Sequence, residues 1–288
     1  MTPHEKIDVL ICAAKSDINY LLEYTLKSCI KNFEPLNKIF IVTPTSTDLE
    51  QHLVDWNLCT DRIIIINDSD ALPNEMMDLT GWLKQQVIKL KSDLICTTRF
   101  ICLLGADTII LKRVIYQDLI KNGQAILYFN RYSLPSIHLH SERKRVENIA
   151  KLLNTQPKRS FILGDFIMEL MIFDSVYLQS LRNYLNHLYG SNPYDYILPS
   201  KCETYAEKTV FGEWTLYCVY ILDVLKKQVP LKNSNSKFVI HLHSDNDLNR
   251  FDLDSQVVHF VSKSFNVLDL KKKFKIINQL EKMGEDNV

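Results

Sequence analysis

The apolar positions of the chain come in two textures. Runs that are apolar at nearly every position recur at 6–14 (ending in IDVLICAA), 38–44 (KIFIVTP), 61–67 (DRIIIIN) and from Phe100 (FICLL). Runs of this length without polar alternation predict strands buried on both faces, as in a parallel sheet covered by helices. Between them lie segments with apolar residues at helical spacing. In 18–32 these are Leu21, Leu22, Leu26, Cys29 and Ile30; a shorter helix is expected over 47–56. In 80–90, Trp82, Leu83, Gln86, Val87 and Leu90 share one face. Strand alternating with helix predicts an α/β fold, a single domain with a mostly parallel, Rossmann-like central sheet flanked by helices.

The second half is less regular. It predicts a loop over 68–79, a helix over 116–121, a strand over 124–130 and a polar loop over 131–147 carrying His138 and His140, with a helix over 146–154. The apolar stretch 160–173 is broken by Gly164, Asp165 and Glu169, and reads equally as two short strands or as a strand meeting a helix. Asp174 is placed to cap a helix over 175–188. A tyrosine-rich loop is expected at 189–200, a nearly wholly apolar helix opening at Glu213, and a strand over 237–243 in which His241 and His243 alternate onto one face. The end, 264–288, reads as an amphipathic helix with a lysine cluster, giving a division into 1–263 and 264–288. That helix is the expected point of peripheral membrane contact.

Composition narrows the class. Lysine plus arginine balance aspartate plus glutamate at 34 each, so a nucleic-acid partner, which needs a positive excess, is not expected. The 7 cysteines form no C-x-x-C pair and sit mostly in apolar runs, which fits buried thiols in a reducing compartment better than zinc or disulfides. The N-terminal stretch lacks the form of a signal peptide, and no apolar run is long enough to cross a bilayer. A soluble cytoplasmic protein, with an option of attachment to the inner membrane face, is the expectation.

Two places carry candidate chemistry. The strand from Phe100 stops at Gly105-Ala106-Asp107-Thr108 before an apolar run resumes at Ile109. Gly105 and Ala106 keep bulk from the backbone, and Asp107 brings a carboxylate to the strand's C-terminal end, where ligands of open α/β sheets bind. Such a carboxylate suits a hard divalent cation. The second place is Glu213, whose carboxylate at a helix start is favoured by the helix dipole and placed as a base would be. Asp165 and Glu169, set among apolar residues, need hydrogen bonds or a ligand.

The stretch around Asp107 resembles the Asp-x-Asp signature of GT-A-fold glycosyltransferases, with Gly105 standing where the first Asp falls. The helix GWLKQQVIKL resembles a GW-x-x-QQ-x-x-K-L element of bacterial GT-A-like sequences, and Gly212-Glu213-Trp214 is similar to an acceptor-side element of such enzymes. Across 7 to about 225, this resemblance implies a GT-A-like sheet and transfer of a sugar from a nucleotide-sugar to a glycan or lipid-linked acceptor, in bacterial capsule or lipopolysaccharide synthesis. It implies Mn2+ or Mg2+ held by Asp107 with His243 and His241, and donor contacts from Lys15, Gln86 and Lys89. It further implies acceptor contacts from Asp165, Glu169 and Trp214, with Glu213 as the base of an inverting reaction. A nucleotidyltransferase and a non-catalytic module of the same fold are the alternatives. The first usually carries a glycine-rich loop after its first strand, whereas this chain has CAAKSD there.

Overall fold

The buried runs assemble into one five-stranded sheet. The computed structural model describes residues 6–18, 22–58, 61–130, 139–164, 166, 169–198, 211–234, 239–242 and 257–260. The chain begins β1 (Ile7–Cys12), α1 (Lys15–Ile18), α2 (Leu22–Asn32), β2 (Leu36–Thr43), α3 (Ser46–Asp55), β3 (Ile63–Asn67) and α4 (Asp68–Ala71). It continues through α5 (Gly81–Leu90), α6 (Ser92–Ile95), β4 (Phe100–Leu104), β5 (Thr108–Ile110), α7 (Tyr116–Leu119), β6 (Ile120–Lys121), β7 (Gln124–Ala125) and β8 (Leu127–Phe129). Then come α8 (Leu139–Leu152), α9 (Arg159–Leu163), β9 (Leu170–Asp174), α10 (Ser175–Tyr189), α11 (Tyr194–Ile197) and α12 (Glu213–Val219). A π-helical turn at Tyr220–Val224 and the strands β10 (Leu231–Asn233), β11 (Val239–Leu242) and β12 (Val257–Phe260) follow.

Strand order in the main sheet is β3-β2-β1-β4-β9, parallel except for the antiparallel edge strand β9. The expected Rossmann-like α/β architecture is present. Alternate residues feed two cores: Leu10, Phe40, Val42, Ile101, Leu103, Met171 and Phe173 on one face, and Ile7, Val9, Ile11, Ile39, Ile41, Cys102 and Ile172 on the other. Burial on both faces is why these strands read as unbroken apolar runs. The buried thiols Cys12, Cys29, Cys96, Cys102 and Cys218 are free, as their placement in those runs predicts.

Asp8 interrupts the first run and is fully buried. Its carboxylate accepts from the Thr97 and Thr98 amides (2.6 and 3.0 Å), the Thr97 hydroxyl (2.9 Å) and Asn37 (2.8 Å). A buried carboxylate is tolerated when donors surround it in this way. It ties β1 to the turn that starts β4.

Several expected boundaries move. The helix expected over 18–32 is described as α1 and α2, with 19–21 outside the described residues. The loop expected at 68–79 contains α4, whose start is capped by Asn67 accepting from the Ser69 amide. The helix expected over 116–121 stops at Leu119, because Asn122 and Gly123 take positive φ (53° and 70°) and turn β6 back onto β7. The helix expected from 146 starts at Leu139, so His140 belongs to α8 and most of the expected loop shrinks to 131–138, outside the described residues. The ambiguous 160–173 stretch is a helix followed by a strand. Asp223, buried in the π turn, accepts from the Arg159 amide at 2.8 Å and from Ser160, which pins the start of α9. Asp174 caps α10 as expected, accepting from the Val176 amide at 3.0 Å. Among the described residues no helix is long and apolar enough to cross a membrane. The helix expected over 264–288 lies outside the described residues, as do His138 and His243.

Candidate functional site

The sheet reverses direction between β1 and β4: from β1 the chain builds outward through β2 and β3, and β4 then joins β1's other edge. In an open α/β sheet the crevice beyond the strand ends at such a reversal is where ligands bind. Asp17 follows β1 and Asp107 follows β4, so both carboxylates stand at this crevice.

The turn bearing Asp107 is held by α2. Thr25 donates to the Ala106 carbonyl (2.8 Å), Ser28 accepts from the Ile110 amide (3.0 Å) and Asn32 donates to the Ile110 carbonyl (2.6 Å). On its other side the β4–β9 ladder runs one step further, the Gly105 amide donating to the Glu169 carbonyl at 3.0 Å. That step brings the Glu169 side chain to the turn. A Cβ placed on Gly105 would meet Thr108 Oγ1 at 2.6 Å, Glu169 Oε2 at 2.8 Å and Asp107 Oδ1 at 3.2 Å. The two carboxylate oxygens are therefore no more than about 6.0 Å apart.

Asp17 receives the Ala14 amide on Oδ2 at 2.7 Å. Burial, with repulsion from Asp107 also contributing, raises its pKa above 3.8 against the lowering effect of that amide. The folded state thus holds this proton more tightly than the unfolded chain. Its penalty for ionised Asp17 is absent below pH 3.8 and complete above the raised folded value. Asp17→Asn keeps an acceptor for the Ala14 amide and removes the charge. Its Tm at pH 7 is expected above that of the wild type, with the gap closing as the pH falls from the raised folded value to 3.8, followed by circular dichroism.

A second group lies on the face of the sheet covered by α5 and α12. Lys89 Nζ is 2.8 Å from Glu213 Oε1, the two side chains being 13% and 2% exposed. The same ammonium stands 4.3 Å from the centre of the Trp214 ring, and Gln86 Oε1 accepts from the Glu213 amide at 3.1 Å. Burial works to lower the Lys89 pKa, but Glu213, helped by Glu169, outweighs it and leaves it raised. The electrostatic reach to Glu169 links this pair to the Asp107 turn. Cys12, at the end of β1, has its thiol pushed up to about 12 by burial, so it stays neutral and is not a nucleophile here. Trp214 Nε1, Thr215 Oγ1 and Thr108 Oγ1 are buried without a hydrogen-bond partner.

Of the residues expected at a site, the structure brings together Asp107 with Glu169, and Gln86 with Lys89, Glu213 and Trp214. Their placements differ from the expected roles. Gln86 holds the start of α12 instead of facing open space, and Lys89 is engaged by Glu213. Trp214 is 6% exposed with the ammonium over its ring, which leaves little face for stacking on a sugar. Glu169, expected on the acceptor side, stands beside Asp107. Lys15 is paired at the surface with Asp48 at 3.5 Å. Asp165 lies outside the described residues.

Among the described residues no group of three or more His, Cys, Asp or Glu side chains is arranged to hold a metal. The carboxylates come as a pair, with the Thr108 hydroxyl as the third oxygen. Antiparallel pairing sets His259 of β12 opposite Thr108, and parallel pairing sets His241 of β11 opposite His259. His241 is thus two strands from Thr108, about 10 Å at the usual spacing, and His259 one strand away. Sequence reading missed Asp17 and Thr108 as site residues. Asp17 reads as a helix cap, and only the pairing of β1 with β4 connects it to Asp107.

Residues 14–279 match the family described as "Family of unknown function (DUF6492)". No curated protein matches the chain.

Proposed function

We propose that this chain, which belongs to the DUF6492 family, transfers a glycosyl group from a nucleotide-sugar to a hydroxyl of a glycan or lipid-linked acceptor. The setting implied by the resemblance is surface polysaccharide synthesis. The observation that carries the reading is the meeting of Asp107 and Glu169 at the β1–β4 reversal, within electrostatic reach of the Lys89–Glu213 pair.

The oxygen donors at the Asp107 turn fit a hard divalent cation such as Mn2+ or Mg2+. Held there by Asp107, it would neutralise charge on a departing nucleoside diphosphate. The protein's own groups account for the rest. Lys89 covers the Glu213 carboxylate when no substrate is bound. A diphosphate entering beside Asp107 competes for the Lys89 ammonium, a point charge well suited to phosphate. Glu213, uncovered, takes the proton from the acceptor hydroxyl as its oxygen bonds to the anomeric carbon. The bond from that carbon to the diphosphate breaks, and its electron pair stays on the phosphate oxygen. In-line attack of this kind inverts configuration.

A non-catalytic binding module is the second reading, favoured by the near-complete burial of Glu213. One experiment separates them: a thermal-shift screen against UDP-, GDP-, CMP- and dTDP-sugars with Mn2+ or Mg2+, followed by assay of the binding donor for released nucleotide. The expected result is stabilisation by one donor class that requires the cation, with slow nucleotide release. At a hundred-fold excess over Kd the gain is about 2.7 kcal/mol, large enough to read. Binding without release supports the module, and no stabilisation by any of the four overturns both.

A further inference from the structure

The geometry points to Glu169 and Thr108 as oxygen ligands that complete, with Asp107, a divalent-cation site built around the absent side chain of Gly105. This rests on the reading of Asp107 as a cation ligand and adds where the rest of the site comes from.

Three oxygens from three parts of the chain close on one backbone position. Thr108 Oγ1, Glu169 Oε2 and Asp107 Oδ1 lie 2.6, 2.8 and 3.2 Å from where a Gly105 Cβ would be. Gly105 has no positive φ requiring glycine. Its lack of a side chain is explained by what approaches it. Any side chain there would have to displace both the Thr108 hydroxyl and the Glu169 carboxylate, so the missing side chain at 105 is what lets these oxygens converge.

The independent sign of a ligand is Thr108. It is fully buried, and its hydroxyl oxygen points into the same group while making no hydrogen bond. A buried polar atom left without a partner is costly, and a cation bound by its lone pair removes that cost. Oxygen donors of this kind select Mg2+, Mn2+ or Ca2+ over softer metals.

The test is direct binding of Mn2+ alone to the full chain, by electron paramagnetic resonance and calorimetry, with folding checked by thermal unfolding. The wild type is expected to bind one ion. Glu169→Gln and Thr108→Val are each expected to weaken binding ten-fold or more, while Glu169→Asp retains part of it. The deciding variant is Gly105→Ala, whose Cβ would fall 2.6 Å from Thr108 Oγ1 and 2.8 Å from Glu169 Oε2 and so push the two ligands apart. The folded variant is expected to bind Mn2+ ten-fold or more weakly than the wild type.

If Asp107→Asn abolishes Mn2+ binding but Glu169→Gln leaves it unchanged, Glu169 is not a ligand, and this inference falls while the reading of Asp107 stands. If the wild type binds no Mn2+ at millimolar concentration, the cation reading itself fails. Undiminished Mn2+ binding in folded Gly105→Ala rejects the account of Gly105 as the space the ligands close on.

Discussion

Asp107→Asn is expected to abolish cation-dependent stabilisation by the donor. The side chain stands at the end of the turn, half-buried, and the turn is held by Thr25, Ser28 and Asn32 through backbone atoms that the substitution does not touch. Asparagine keeps the shape and one acceptor oxygen but gives up the charge that a hard cation needs. A hundred-fold loss of donor affinity corresponds to about 2.7 kcal/mol. The thermal shift seen with donor and Mn2+ therefore collapses to that of buffer alone. A variant that keeps the wild-type shift places the donor elsewhere and removes Asp107 from the site.

Glu213→Gln has the largest expected effect on the fold as well as on turnover. It strands the Lys89 ammonium, 13% exposed, next to a neutral amide. Removing one member of a buried ion pair costs about 3–5 kcal/mol, because the remaining charge is uncompensated. Urea unfolding is expected to show a loss of that size. The double variant Lys89→Met with Glu213→Gln is expected to recover most of it while remaining inactive in transfer. Recovery of turnover along with stability makes the pair purely structural and ends the base assignment. The pair's pH dependence follows from the raised Lys89 pKa. Its stabilisation is fully present below the unfolded value of 10.5 and is lost as pH rises through the higher folded value. The stability gap between wild type and Lys89→Met is accordingly flat across neutral pH and narrows only above pH 10.5.

The buried runs of β1, β2 and β4 were legible because a strand covered on both faces has no polar alternation to hide it, and β3, an edge strand half-buried throughout, was legible from its run of β-branched isoleucines. So was the Asp174 cap, whose bond reaches only two residues along the chain. Local chemistry of this range survives in a one-dimensional reading. The α9–β9 stretch did not, since the start of α9 is secured by Asp223, more than sixty positions further on. Nor did the early start of α8, whose first turns are polar.

At the candidate site the sequence singled out Asp107, Glu169, Gln86, Lys89, Glu213 and Trp214 separately, because each is a charged, polar or amphipathic side chain set in apolar surroundings. It assigned them to donor and acceptor by resemblance and could not say which touch. Tertiary structure decided that Glu169 stands with Asp107, because β9 runs antiparallel beside β4 and its first step delivers the side chain to Gly105. It also decided that Lys89 answers Glu213, across a span in which Gln86 and Glu213 are 127 positions apart. Hydrophobic period depends on near neighbours and is written along the chain. The pairing of charges depends on which strand lies next to which, and that is settled only when the sheet closes.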